Sequence, residues 1–330
     1  MIDTIVAQFE TTSGLPGLNW EISTTTRGTA VHTRYFCSAG TVRLTVQQNW
    51  DGQVRMRVEA SLPKIIQGHN IVILNAAQIR DACAVLHQEV IRLASDSVVP
   101  PVEEWGLTEV HWCYAWRVDS PGAVINALAE TSPHSKAQRK TREDDGHGGF
   151  TFRRQPRSGH GDWSEQVYDK GAETLALLQK GKIELASWGL SQTAVEEMAR
   201  GVLRFEVITR KQMLRGVLGT PPTIALLHNY LDKHGTALLS DRWDRLTVNW
   251  RPTSTSGVAQ KLRVCYPNST ATNLFDFWHA VTHIGVSEYR QFTGIDADKW
   301  RRQVRRLKEA GIGLGDQVTI ECPTIPIYDG

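Results

Sequence analysis

The chain has 330 residues, 41% of them hydrophobic and 22% charged, a composition that supports a sizeable core and excludes wholesale disorder. Its formal net charge of +2 is too small to announce a nucleic-acid partner, although Lys and Arg gather in three stretches. With no long apolar run, no signal-peptide pattern in MIDTIVAQFETT and five cysteines without a CxxC pair, a membrane span, a zinc ribbon and a disulfide scaffold are excluded, and a cytoplasmic setting is expected.

The N-terminal stretch predicts an antiparallel meander. Ile2 to Phe9, Val31 to Phe36, Val42 to Gln47 and Val54 to Ser61 are β-branched or alternating runs separated by Gly, Asn and Asp. In EASLPKIIQGHN, Pro63 predicts the start of a helical turn and Gly68-His69-Asn70 its stop, by default a C-cap in which His69 and Asn70 hydrogen-bond internally. From Ala76 to Ala94 the period becomes helical, with Ile79, Cys83, Val85, Leu86, Val90 and Leu93 on one face. Leu107 to Trp116 returns to strand alternation, and Pro121 opens a helix to Leu128 with Ser120 as its N-cap. HSKAQRKTREDDGHGG has the composition of a mobile surface loop. Two strands follow, Phe150 to Arg154 and Trp163 to Tyr168, then a helix from about Gly171 to Lys180 and a strand from Val202 to Thr209. After GTPPT the texture turns helical and basic. That change predicts a boundary at Gly219 to Pro222, with domains 1–218 and 219–330. Without a regular βαβ alternation, the expected fold class is α+β: a mostly antiparallel sheet with packed helices, and a smaller, mainly helical C-terminal domain. Most of the 11 tryptophans are expected to anchor cores, with a few free to stack on bases.

Four groups of residues have chemical potential. In VYDKGAE, Tyr168 shares a strand face with Gln166, and Asp169, Lys170 and Gly171 lead straight into a helix. A free phenol, with a pKa of about 10, is a poor nucleophile, but a neighbouring Lys170 or a divalent cation would stabilise its phenolate. A sheet tyrosine followed by a capped helix fits the same spacing. In LTEVHWCYAW, Glu109 and His111 point the same way, a carboxylate and imidazole pair suited to Mg2+ or Mn2+, or else a polar outer face. Glu59, on a neighbouring strand, is a candidate third ligand. Arg204 and Glu206 share a face of LRFEV and can form an ion pair.

Basic clusters complete the inventory. Lys136, Arg139, Lys140 and Arg142 form one, and Arg153, Arg154 and Arg157 another. The third is the helix DKWRRQVRRLKEAG, where Trp300, Val304 and Leu307 form an apolar stripe and Lys299, Arg301, Arg302, Arg305, Arg306 and Lys308 cover the rest. Such a face is either solvated or contacts phosphates. With GVSEYRQFTGIDA before it, the segment reads as helix, turn and a basic second helix capped near Asp296, similar to a helix-turn-helix reader.

Taken in order, the blocks MID, EASLPKIIQGHN, HWCYAW, VYDKGAE, GVLRFEV and FWHAVTHIGVSEYRQFTGIDADKWRRQVRRLKEAGI resemble the gene II replication initiator family of filamentous phages (inoviruses). EASLPKIIQGHN, which contains His69 and Asn70, is the most specific match. VYDKGAE followed by RFE, which contains Arg204 and Glu206, also looks like the plasmid rolling-circle initiators. The resemblance implies an HUH-like central antiparallel sheet carrying a metal, and places the family's nucleophilic tyrosine on Tyr168. It implies a site-specific nicking and joining enzyme that makes a 5′-phosphotyrosyl link and a free 3′-OH primer, then rejoins the displaced strand. Its implied partners are double- and single-stranded origin DNA with the host helicase and polymerase, in a bacterial cytoplasm and away from membranes. At Glu109-Val110-His111 the family usually shows Arg-hydrophobic-Asp, so this strand departs from the pattern. The rival readings are a non-catalytic origin-binding or replication-control protein, and a transposase or relaxase of related chemistry.

Overall fold

The computed structural model describes residues 1–11, 21–27, 30–39, 42–48, 54–94, 98–119, 121–122, 124–125, 128, 139–141, 149–153, 163–183, 185–248, 255–314 and 322–326. Ten strands are described: β1 (Ile2–Thr11), β2 (Glu21–Arg27), β3 (Ala30–Ala39), β4 (Val42–Gln48), β5 (Val54–Ser61), β6 (Gly106–Arg117), β7 (Arg139–Thr141), β8 (Gly149–Arg153), β9 (Trp163–Asp169) and β10 (Val202–Arg210). They form one sheet in the order β2-β3-β4-β5-β1-β6-β10-β9-β8-β7. Every pairing is antiparallel. The fold is α+β, as expected from the strand and helix texture.

Alternation along the central strands gives the sheet two unlike faces. On one, Val58, Ala7 and Leu107 align across β5, β1 and β6, and Phe205 pairs with both Tyr114 and Val167. This face is covered by the helices Ala76–Ala94, Lys211–Leu218, Ile224–His234 and Ala237–Thr247, which share its core through Ile79, Leu86, Leu214, Leu227 and Trp243. Each such fully buried side chain contributes about 1.5–3 kcal/mol relative to exposure. The Ala76–Ala94 helix buries Ile79, Cys83, Leu86, Val90 and Leu93. Val85, expected on that face, is instead 47% exposed, because its position turns it off the stripe.

The opposite face is polar. Across it lie Arg43, Glu59, Val6, Glu109 and Arg210 in one row, and Ala115, Arg204 and Tyr168 in another. At the second row a small cluster covers the sheet, with Ile71, Val195 and Val202 buried against Leu178, Leu185 and Trp188. Gly171 is required here for close approach: a Cβ on it would lie 2.0 Å from the Ala199 carbonyl oxygen.

The strand inventory grows, and two further expectations are located. β2 and β7 are strands that the sequence pattern does not announce, β7 lying inside the segment expected to be a mobile loop. In the expected helix 121–128, residues 121–122, 124–125 and 128 are helical, and Ser120 lies outside the described residues. At the expected boundary near residue 218 the chain turns, and residues on both sides of the turn share the sheet core. The Leu107 amide donates to the Pro222 carbonyl at 2.8 Å and the Ile224 amide to the Trp105 carbonyl at 3.2 Å, tying this turn to β6. The helices that follow bury Leu227, Leu231, Leu239, Trp243 and Leu246 in the sheet core. A separate core begins at Val258, built from the helices Thr255–Cys265, Asn268–Ile284, Val286–Thr293 and Ala297–Glu309 around Leu262, Leu274, Phe277, Trp278 and Leu307. The chain then returns: in residues 322–326, Ile325 joins the sheet core. The Trp243 indole N–H donates to the Pro323 carbonyl at 2.5 Å, and that of Trp116 to the Thr324 carbonyl at 3.0 Å.

Candidate active site

Tyr168 is the next-to-last residue of β9, and Asp169 ends the strand by capping the helix Lys170–Gln179, its carboxylate accepting from the Ala172 amide at 2.8 Å. Tyr168 pairs with Arg204 on β10, whereas Glu206 pairs with Gln166. The long tyrosine side chain reaches its diagonal neighbour, and its hydroxyl donates to Glu206 Oε1 at 2.5 Å. Both residues are nearly enclosed, at 4% and 6% exposure.

Arg204, 1% exposed, is the hub of the cluster. It lies 3.7 Å from Glu206 and 3.4 Å from Asp3, and donates to the backbone carbonyls of Asn70 and, at 3.1 Å, Ile71. The expected Arg204 and Glu206 ion pair is therefore present, within a larger network. A register shift in β1 between Ile2 and Thr4 accompanies the turn of Asp3 toward this face. Asp3 accepts from the Ser61 hydroxyl at 2.9 Å and the Asn70 amide at 3.2 Å. Asn70 is thus bonded to the sheet instead of to His69. Gly68 forms the C-cap with φ 75°, and His69 is buried against the Trp188 ring at 5.6 Å. Two buried nitrogens, Arg204 Nε and His69 Nδ1, have no hydrogen-bond partner among the described residues.

Burial and charge act together here. Burial pushes the Tyr168 phenol well above its usual range, and the Glu206 carboxylate pushes it further. Burial opposes the Asp3 charge, but Arg204, Lys170 and the Ser61 hydroxyl outweigh it and hold the carboxyl below its usual range. Lys170 is lowered, first by burial and then by Arg204. Its ammonium is bound to Glu173 at 2.7 Å, so its charge is shared with an acid that the sequence pattern does not single out.

The expected metal ligands form a second group on the same face. His111 Nε2 lies 2.6 Å from Glu109 Oε1, with Val110 buried behind them. Arg210 at the end of β10 donates to both Glu109 oxygens, at 2.7 and 2.9 Å. Burial works against the Glu109 charge, yet the hydrogen bonds from His111 and Arg210 bring its pKa down to about 2. Glu59 lies across β1, with Val6 between it and Glu109 in register, and is bound by Arg57 at 3.0 Å and Arg43 at 3.7 Å. Strands spaced about 4.8 Å apart put two strand spacings between these carboxylates. In this arrangement Glu109, His111 and Glu59 do not fit a divalent ion, because arginines already occupy both carboxylates. No group of three His, Cys, Asp or Glu among the described residues is arranged to hold a metal.

The C-terminal arginines are far from this cluster in sequence and stand on the second core. Asp296 caps the helix Ala297–Glu309, accepting from the Asp298 and Lys299 amides at 3.0 and 2.7 Å. Leu307 is buried and Trp300 and Val304 pack beside it, leaving Arg301, Arg302 and Arg305 exposed. Arg301 and Arg305 make solvent-exposed pairs with Asp298 and Glu309. Arg153 lies in β8, and Arg154 lies outside the described residues.

Asp3, Ser61, Glu173 and Arg210 are site residues that no sequence pattern marks as a group. Asp3 has a signal, a lone charge in the apolar run of β1. Arg210 has only its place at a strand end.

The site thus sets a tyrosine bonded to a carboxylate within a charged cluster, on an antiparallel sheet backed by helices. The chain belongs to the phage gene II replication-associated protein family, whose N-terminal model matches residues 1–231. No curated protein matches the chain. Among solved structures, the di-domain ARO/CYC StfQ from the steffimycin biosynthetic pathway is similar at 13% identity, over 75% of this chain and 88% of that one. Its TM-score of 0.18 carries no argument about fold or function. Among the described residues no helix is long and apolar enough to cross a membrane.

Proposed function

We propose that this protein starts rolling-circle replication by attacking an origin phosphodiester with the Tyr168 hydroxyl. Attack leaves a 5′-phosphotyrosyl bond and a free 3′-OH primer, and reversal of the same step joins the displaced strand into a circle. The observation that carries this reading is the placement of Tyr168: its hydroxyl is held at 2.5 Å by Glu206 beside the Arg204 guanidinium. A phenol pushed up by burial needs such help, and a cation beside it offsets the negative charge that a phosphate brings. The unpartnered Arg204 Nε–H supplies donor capacity for a phosphate oxygen that enters. Lys170 holds its charge two residues beyond the nucleophile. The partners of this reaction are origin DNA, the host helicase and the host polymerase.

The direct test replaces Tyr168 with Phe, which removes one oxygen. Labelled origin DNA should give a covalent adduct on denaturing gels with the wild-type protein and none with Tyr168→Phe. Adduct formation by the variant would end this assignment.

Mg2+ or Mn2+ belongs to the proposal as a separate element, with its own test. Removal of divalent ions with a chelator should abolish nicking, and either ion should restore it. His111→Ala should keep the restored activity, because the Glu109 carboxylate beside it is already held by Arg210. Loss of metal-dependent nicking by His111→Ala, with DNA binding intact, would put the ion at this pair after all.

A further inference from the structure

We infer that Glu206 is the general base that takes the proton from Tyr168 as the phenol attacks. This inference rests on the proposed nucleophilic role of Tyr168 and adds a catalytic residue to it.

The geometry is that of a base and its acid. The hydroxyl donates to Glu206 Oε1 at 2.5 Å, so the proton already lies on the line along which it would move. Glu206 and Tyr168 sit on adjacent strands of a sheet, whose pairing fixes their separation better than a loop would. A buried carboxylate can act as a base only if it is held ionised. Arg204, fully buried and 3.7 Å away, is the counter-charge, and it is itself anchored by Asp3 and two backbone carbonyls.

The surroundings from every packed element agree with this role. β6 presents Cys113, which is directly paired with Glu206 and whose thiol burial pushes up, so it is neutral. β1 presents Asp3 and, just before it, the buried Met1 α-amine, which burial lowers and which donates to the Leu74 carbonyl at 3.0 Å, and β9 presents Tyr168. The helix after β9 presents Lys170 and Glu173, which bind each other. The segment before the Ala76–Ala94 helix presents His69, whose imidazole burial lowers, so it adds no positive charge at neutral pH. His111, the other imidazole of this face, is bound to Glu109. Glu206 is therefore the acceptor placed to receive the phenolic proton.

The step balances simply. The Tyr168 O–P bond forms as the P–O3′ bond breaks, the phenolic proton passes to Glu206, and the 3′ oxygen leaves with the bonding pair. Water protonates that oxygen, and Glu206 returns its proton to solvent. No oxidant or reductant is needed.

The test uses the full chain and single-turnover cleavage of labelled single-stranded origin DNA. Glu206→Gln keeps the shape and an oxygen to receive the hydroxyl, but cannot take a proton. We expect a rate about 10²–10⁴-fold lower, the range for losing a positioned acid or base. The acid limb of the wild-type pH profile should disappear, replaced by a rate that climbs with pH as solvent ionises the phenol. Removing the Glu206 charge should also lower the pH at which the Tyr168 phenolate absorbance appears, a change that lost packing alone would not produce. Wild-type cleavage should be slower in D2O, a measurement that needs no folded variant. Wild-type rate and pH profile in Glu206→Gln, or no isotope effect, would overturn the inference while leaving Tyr168 as nucleophile. A covalent adduct formed by Tyr168→Phe would instead remove the reading on which it rests.

Discussion

Both oxygens of Glu109 are taken, by Arg210 and by His111, and this sets the charge state of the pair. The folded carboxyl has a pKa of about 2 against an ordinary 4.5. A depressed folded value means that the ionised form stabilises the native state: the contribution is complete above about pH 4.5 and is lost as the pH falls toward 2. Glu109→Gln should therefore be less stable than the wild type at neutral pH, with the two curves converging as acid is added. Urea unfolding across that window measures it. Parallel curves would mean that another carboxylate supplies the acid sensitivity. The same arginine explains why a strand face that reads in sequence as an acid and imidazole pair for a cation is, in space, an ion pair. Arg210 is absent from any local motif, and only the pairing of β10 with β6 brings it there.

At the scale of elements, the helix Ala297–Glu309 is legible in the sequence because three signals agree: a cap at Asp296, an apolar stripe and a basic remainder. Replacing Arg301, Arg302 and Arg305 with Ala should leave the fold intact, because all three are exposed. If they touch phosphates, the slope of log K against log salt for origin binding should flatten by roughly 0.9 for each one. An unchanged slope and affinity would make the helix a solvated face. The strands around Tyr168 are partly legible for a similar reason, since apolar and polar residues alternate in β5 and in the first half of β6. β2 is not, because EISTTTR is a polar, threonine-rich run without the apolar alternation that marks a strand. The helices Leu185–Trp188 and Gln192–Ala199 are too short for a periodic pattern to stand out. Tyr168 and Glu206 are each visible, but their meeting depends on a diagonal across β9 and β10, and strand order is not written locally.

For the whole molecule, GTPPT is where the texture of the chain changes. Gly and Pro mark a change of direction there, and the helices beyond it still cover the sheet. The two cores are set by where buried residues resume, at Val258. The segment 322–326 gives the sheet core a measurable dependence on the distal chain. Ending the chain at residue 321 would strip the partners from the Trp116 and Trp243 indoles. The Trp243 donor is buried, and left unpaired it costs about 1–3 kcal/mol, whereas water can replace the partner of the more exposed Trp116. The sheet core should melt earlier while the second core keeps its own transition, as tryptophan fluorescence during urea titration would resolve. No shift in the first transition would mean that these contacts are dispensable.

That return also has a mechanical side. The helical core leaves the sheet core after residue 248 and the chain is bound back to it at 322–326, so it is held by two connections. A body on one tether can swing and twist freely. Held at two points, it keeps mainly a hinge motion about the line between them. The contacts at Pro323 and Thr324 close that second connection, so losing them would return the helical core to a single tether.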